Sequence, residues 1–296
     1  MNGEGHTFRS KMRALTDHAV TGLAILATLL VIAPLVAIFA YLIMKGAASV
    51  NLAFFTQIPK PPGETGGGMS NAIVGSGVLL LVASALGVPI GIGGGIFLAE
   101  FGRGTKLATA VRFTADVLNG VPSIVMGMAI YLLIVSPRHS ILPFSGHFSA
   151  FSGGVALGIM MIPTVCRTTE EMLLMVPHAV REAALGLGLP NWRSVLSITV
   201  KTASPGIITG CMLAFARVAG ETAPLIFTAF GNAFRSTSLG TPREALPLQS
   251  YVFALSPYDD WHRLAWAGSL VLIVLIVLAV SLVRFVTSRG VLKGAS

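Results

Sequence analysis

Residues 264–283 read LAWAGSLVLIVLIVLAVSLV, twenty positions without a charge. A bilayer core about 30 Å thick takes about 20 apolar residues of helix, so this run is long enough to cross it. Five more runs of similar length precede it, near 20–44, 71–98, 107–135, 153–174 and 204–230. The composition agrees. Of 296 residues 54% are hydrophobic and 11% charged, against about 25% charged in a soluble domain. The mean hydropathy is +0.80. Too few charges remain to keep a chain of this size in solution, which excludes a disordered chain, a disulfide scaffold and an ordinary cytosolic enzyme. The sequence predicts an all-α, six-span, multi-pass membrane protein.

The first run, Val20 to Met44, exceeds a signal-peptide core and lacks a small-residue cleavage site after it, so it reads as a retained anchor. The four middle runs carry Gly, Pro, Ser, Thr and charge, the composition of helices that pack against protein. The formal charge of +8 does not point to nucleic acid, because the basic residues sit in twos and threes at the ends of apolar runs. With the N-terminus inside, the inner segments hold twelve (Arg9, Lys11, Arg13, Arg103, Lys106, Arg112, Arg181, Arg193, Lys201, Arg284, Arg289, Lys293). The outer segments hold six: Lys45, Lys60, Arg138, Arg235, Arg243 and Arg263. This bias places both termini in the cytoplasm. Tails over 1–19 and 287–296 then flank one membrane domain over 20–286, with an inner connection at 175–203 and long outer loops at 49–70 and 231–260.

Several chemistries have no residues to support them. No Gly-Lys pair exists to build a phosphate-cradling P-loop, and HExxH and GxSxG are absent. The six histidines, among them His139, lack metal-ligand spacing, and Cys166 and Cys211 read as small apolar side chains. Neither a catalytic nor a metal site is expected. Uphill transport by this chain would draw its energy from a separate subunit.

Two segments carry functional information. On the inner side, VREAALGLGLPNWRSV (180–195) reads as a short helix stopped by Gly188 and Pro190, with a second helix from Trp192. It forms either a knob offering Glu182, Ala183, Ala184 and Arg181 to a partner groove, or an amphipathic helix on the lipid surface. In the fifth run, AFARVAGETAPLIFTA (214–229) puts Arg217 and Glu221 four residues apart, one turn along a helical face. A mid-bilayer charge costs about 2.5–3.5 kcal/mol on insertion scales. Arg217 and Glu221 therefore either neutralise each other or face a water-filled path, where the guanidinium fork suits an oxyanion. In the third run Pro122, with Asn119 and Ser123, marks either a broken helix lining a cavity or a packed kink. Arg112 and Asp116 have helical pairing distance, and Arg167, with Glu170 and Glu171, either lines the inner mouth or makes a local ion pair.

Glu182-Ala-Ala with Gly188 resembles the EAA motif of ABC importer permeases, the coupling helix that docks into the ATPase. The family's usual Leu-Pro is replaced by Val200-Lys201, a departure that concerns the start of the fifth span and not the docking helix. GETAPLIFTA (220–229) closely resembles the signature of the PstA permeases of phosphate-specific importers. FFTQ (54–57), PPGETGGGMSNAIVG (61–75), GVPSIVMG (120–127) and RTTEE (167–171) match the same family, so the resemblance runs from about Val20 to Arg284. It implies a type I importer fold, the MetI-like kind, and a heterodimer with a homologous permease, PstC. Two PstB ATPases binding ATP and magnesium would sit beneath, with the phosphate-binding protein PstS above. PhoU and a sensor kinase are implied for phosphate signalling. Arg217, Glu221 and Thr222 would line the path for inorganic phosphate, with Ser123, Asn119 and Arg167 as further candidates. Glu182, Ala183, Ala184 and Gly188 would couple to the ATPase. Another oxyanion, an ion-driven carrier and a membrane sensor or scaffold are the competing readings.

Overall fold

A computed structural model describes residues 4–136, 146–236 and 238–293, with side chains over 12–136, 146–236 and 238–287. Arg138 and His139 lie outside the described residues, as do the side chains of His6, Arg9, Lys11, Arg289 and Lys293. Among the described residues five helices are long and apolar enough to cross a membrane, and six if one sharply bent pair counts as a single span. Among the described residues the only β pairing is two isolated bridges, Pro59 with Gly67 and Phe230 with Arg243.

The first span, α1 (Glu4–Gly46), is one helix that runs on through Pro34, and none of its most apolar window is buried. A turn at Ala47–Ser49 leads to the short α2 (Leu52–Thr56), where the Asn51 carboxamide accepts the Phe54 N–H at 2.9 Å. The second span, α3 (Ser70–Ile96), ends in a π turn at Phe97–Phe101. The third apolar run is not one helix. α4 (Lys106–Gly120) and α5 (Ser123–Ile130), with its π turn Tyr131–Val135, are bent by 107°. Pro122 has no N–H to continue α4, and its ring disfavours helical backbone at Val121, which is extended at ψ 131°.

α6 (Ala150–Leu174) follows, opened by the Ser149 hydroxyl on the Ser152 N–H at 3.1 Å. Beyond it lies α7 (His178–Gly186). The next rod begins earlier than the apolar pattern suggests. α8 (Asn191–Ser194), a π turn at Val195–Thr199 and α9 (Val200–Ala219) form one continuous 29-residue element. It also ends earlier, because the expected 204–230 span breaks at Gly220–Thr222 before the short α10 (Ala223–Thr228). After α11 (Leu246–Ala254), the last span α12 (Asp259–Lys293) extends past both ends of its apolar run.

The core is α3 against α6, with α9 beside them. Lipid tails are as apolar as leucine, so close backbone approach and not exclusion from water must hold such helices together. Gly87, Gly91 and Gly95 recur every fourth residue along α3 and form a flat stripe against α6. A methyl at Gly91 would lie 2.6 Å from the Cβ of Val165, and one at Gly95 would lie 2.5 Å from that of Thr169. Gly93, off the stripe, faces open space. Gly91→Ala is therefore expected to destabilise the chain by about 1–3 kcal/mol through overpacking, while Gly93→Ala changes little. Equal melting temperatures for the two variants in detergent would refute the close-packed stripe.

Candidate functional site

Arg217 lies in the last turn of α9, and its carbonyl accepts the N–H of Gly220 at 3.3 Å. The side chain is exposed on the chain's own surface. Glu221 does not continue that helical face, because α9 has ended and the chain turns at Gly220–Thr222. The two side chains make no ion pair or hydrogen bond with each other or with any described residue. Of the two readings of this pair, mutual neutralisation is not seen among the described residues. Glu221 and Thr222 are half-buried at the break.

The second broken span packs beside this one. α10 lies against α5, so closely that a methyl on Gly127 would fall 2.6 Å from the Pro224 Cα. Ser123 opens α5 and Asn119 lies in the last turn of α4, both half-buried. The Asn119 carboxamide oxygen accepts the Thr164 hydroxyl at 3.2 Å, which ties α4 to α6. The Pro122 region is thus a broken helix. Interrupted helices expose backbone groups that membrane interiors tolerate only when buried in protein or facing a water-filled cavity. No hydrogen bond joins Ser123 or Asn119 to Arg217.

Arg167 belongs to a different cluster. It holds Asp116 (Nε–Oδ1 3.0 Å) and Glu170 (Nη1–Oε2 3.0 Å), and Glu170 also accepts from Arg112 Nε at 2.7 Å. Asp116 thus pairs across to α6 and not with Arg112 one turn back. Arg112 and Arg167 balance Asp116 and Glu170, so the cluster joins α4 to α6 with no net formal charge.

At the end of the bundle where α3 and α6 finish, α7 projects as the knob. Glu182 and Ala183 are exposed, while Ala184 is buried against the chain's own interior, so Ala184 is not part of an outward docking face. Arg181 is not free for a partner either. It donates to Glu100 Oε1 at 2.8 Å and to the carbonyls of Leu173 and Val176 at 2.6 and 2.7 Å. Gly188 has φ +80°, and its N–H bonds to the Leu185 carbonyl at 2.9 Å. It turns the chain out of α7 in the left-handed conformation that glycine adopts without strain.

The sequence reading missed a half-buried carboxylate at the opposite end of the bundle. Glu244 lies in the connection between α10 and α11 and accepts the backbone N–H groups of Ala245 and Asn232. Gly231, at φ +83°, leaves room for it, since a methyl there would lie 2.7 Å from Glu244 Oε2. Asn71 of α3 donates to the Asn232 carbonyl at 3.0 Å, and Ser76 receives the Leu246 N–H at 2.8 Å. Arg243 is buried but turns to the Ser236 carbonyl, and burial lowers its proton affinity. The Gly231-Asn232 turn signal was visible in the sequence, but nothing there placed a carboxylate over it.

Burial raises Glu244 to about 7, against the two backbone bonds that lower it. Because the folded value lies above the unfolded one, the loop gains stability that is complete below about pH 4.5 and is lost as pH rises through about 7. The full difference is roughly 3 kcal/mol. Proteolysis of the 230–244 loop should therefore be faster at pH 8 than at pH 5.5, and Glu244→Gln should remove most of that difference. An unchanged pH profile in the variant would exclude this carboxylate as the cause.

Residues 91–290 match the family described as "Binding-protein-dependent transport system inner membrane component". The fold and that match define an inner-membrane permease component of a binding-protein-dependent transport system, and the chain belongs to this family. The chain is 45% identical over 83% of its length, and 81% of the relative's, to the "Phosphate transport system permease protein PstA" of Yersinia pestis. It is 48% identical to the protein of the same name from Xylella fastidiosa (strain Temecula1 / ATCC 700964), over 80% of each chain. Among solved structures, it shares a TM-score of 0.54 with the MetNI methionine ABC transporter in an inward-facing conformation. That likeness spans 76% of this chain and 96% of the other at 19% identity, and it concerns the fold alone.

Proposed function

We propose that this chain is a permease subunit of an ATP-driven importer of inorganic phosphate. The observation that carries the reading is Arg217, an exposed guanidinium with no ion pair or hydrogen bond among the described residues, at the broken end of a membrane span. A charge so placed is tolerated when it faces a hydrated path or another subunit and not acyl chains. The PstA-named relatives support phosphate as the anion that visits it.

In this reading Arg217 supplies a planar set of donors for phosphate oxygens. Glu221 and Thr222, at the turn that ends α9, border the same position. Glu221 limits affinity by repulsion, so that the anion can leave. The neutralised cluster around Arg167 keeps α4 and α6 together and takes no part in anion binding. A second, homologous permease of the PstC kind completes the path, and a PstS-type binding protein delivers phosphate from outside. Both termini and α7 face the cytoplasm. There Glu182 and Ala183, on a helix ended by Gly188, dock into a PstB-type ATPase that binds ATP and magnesium. The energy comes from that subunit, and alternating access follows if the two closure states bind phosphate with different affinity.

Uptake of labelled phosphate by the reconstituted complex tests the proposal. Excess unlabelled phosphate should saturate uptake while sulfate and molybdate at the same concentration do not. Competition by sulfate or molybdate in place of phosphate would transfer the assignment to another oxyanion. Phosphate flux through this chain without the ATPase would instead favour an ion-driven carrier.

A further inference from the structure

A groove of about 390 Å³ runs between α9 and α12, within the size range of ligand sites. It is graded from end to end. Val280, Met212, Leu213 and Ala216 make one part wholly apolar, while Arg284, Thr287 and Thr209 lie along the rest. Both hydroxyls donate to carbonyls of their own helices, Thr209 to Pro205 and Thr287 to Val283. Arg284 is exposed and has no hydrogen bond or ion pair with any described residue. On α9, Lys201 is also exposed and lies one turn before Pro205, extending the same stripe beyond the groove.

The depth of these groups follows from the sequence. Arg284 comes directly after Val283, the last residue of the uncharged run, so its guanidinium lies where hydrocarbon gives way to headgroups. The apolar part of the groove points from there toward the bilayer centre. An ion-free cation at the headgroup level above an apolar furrow complements an amphiphile with a negative head and an extended tail.

We propose that the α9–α12 groove is a binding site for one anionic phospholipid, whose phosphate sits on Arg284 and whose acyl chain lies against Met212, Leu213, Ala216 and Val280. Lys201 lies where it can reach the rest of the headgroup. The lipid braces α12 against α9, the span that carries Arg217, on the side where α7 projects. The inference does not rest on what the protein transports.

Native mass spectrometry of the delipidated full chain, titrated with equal amounts of phosphatidylglycerol and phosphatidylcholine of matched chains, tests it. The chain should retain phosphatidylglycerol about fivefold over phosphatidylcholine. Arg284→Gln should bring the two to parity, and Ala216→Trp should lower retention of both. Equal retention by the unaltered chain, or a preference that survives Arg284→Gln, would overturn the proposal. In the assembled transporter, a photo-crosslinking residue at Leu213 should yield a phospholipid adduct. An adduct with the second permease in its place would make the groove a protein interface and refute the lipid site.

Discussion

Phosphate uptake is expected to fall at least about 100-fold in an Arg217→Ala variant assembled with its partner subunits, with little change in melting temperature. The two halves of this result have separate causes. The Arg217 side chain makes no hydrogen bond or ion pair with a described residue whose loss would loosen the fold. Its value lies in charge-assisted hydrogen bonds to phosphate oxygens, about 1.5–3 kcal/mol each, and the guanidinium fork can make two of them. Each 1.4 kcal/mol is about a factor of ten, so the loss is hundredfold or more. Arg217→Lys keeps the charge but not the planar fork and should retain a small fraction of the uptake. Uptake by Arg217→Ala at the unaltered rate would remove this residue from the path. A large drop in melting temperature would instead show that it has a structural partner in the complex.

The second large effect is expected at Arg181. Its guanidinium ties the knob to the membrane body through Glu100 and through the Leu173 and Val176 carbonyls. The side chains of Arg181 and Glu100 are only 13% and 8% exposed, so neither end of the pair is well solvated. Arg181→Ala leaves the Glu100 carboxylate buried and unpaired, at a cost of about 3–5 kcal/mol. ATP hydrolysis by the associated ATPase should then continue while uptake stops, because α7 no longer transmits its movement to α3 and α6. The double variant Arg181→Ala/Glu100→Ala removes the stranded charge and should recover stability relative to the single one, while remaining uncoupled. A double variant as unstable as the single one would exclude charge stranding, and retained coupling in either would exclude the clamp.

The long apolar runs were legible in the sequence because each residue's preference for hydrocarbon is local and adds along the helix. The terminating role of Gly188 was legible for a similar reason, since a left-handed turn demands glycine whatever surrounds it. The two broken spans were only half legible. Pro122 signalled its break, but a bend of 107° and a straight kinked helix have the same composition. At 220–222 the flanking residues are apolar enough to read as one span, and the turn there placed Glu221 off the face it was expected to share with Arg217.

Charge partners were the least legible feature. Helical spacing proposed Arg112 with Asp116 and Arg217 with Glu221. In the fold Arg112 and Asp116 each pair across to α6, while Arg217 and Glu221 stand apart. Arg181 looked available to a partner and is instead spent within the chain, and Ala184, read as part of a docking face, is buried. Sequence alone determined that this chain lives in a membrane, that it is built of long helices, and which motifs it shares with its relatives. Which charges are neutralised, which are left open, and where a carboxylate such as Glu244 finds its backbone donors were decided by tertiary structure. Electrostatic partnership depends on distance through space and on the exclusion of water, and neither is a property of neighbours along a chain.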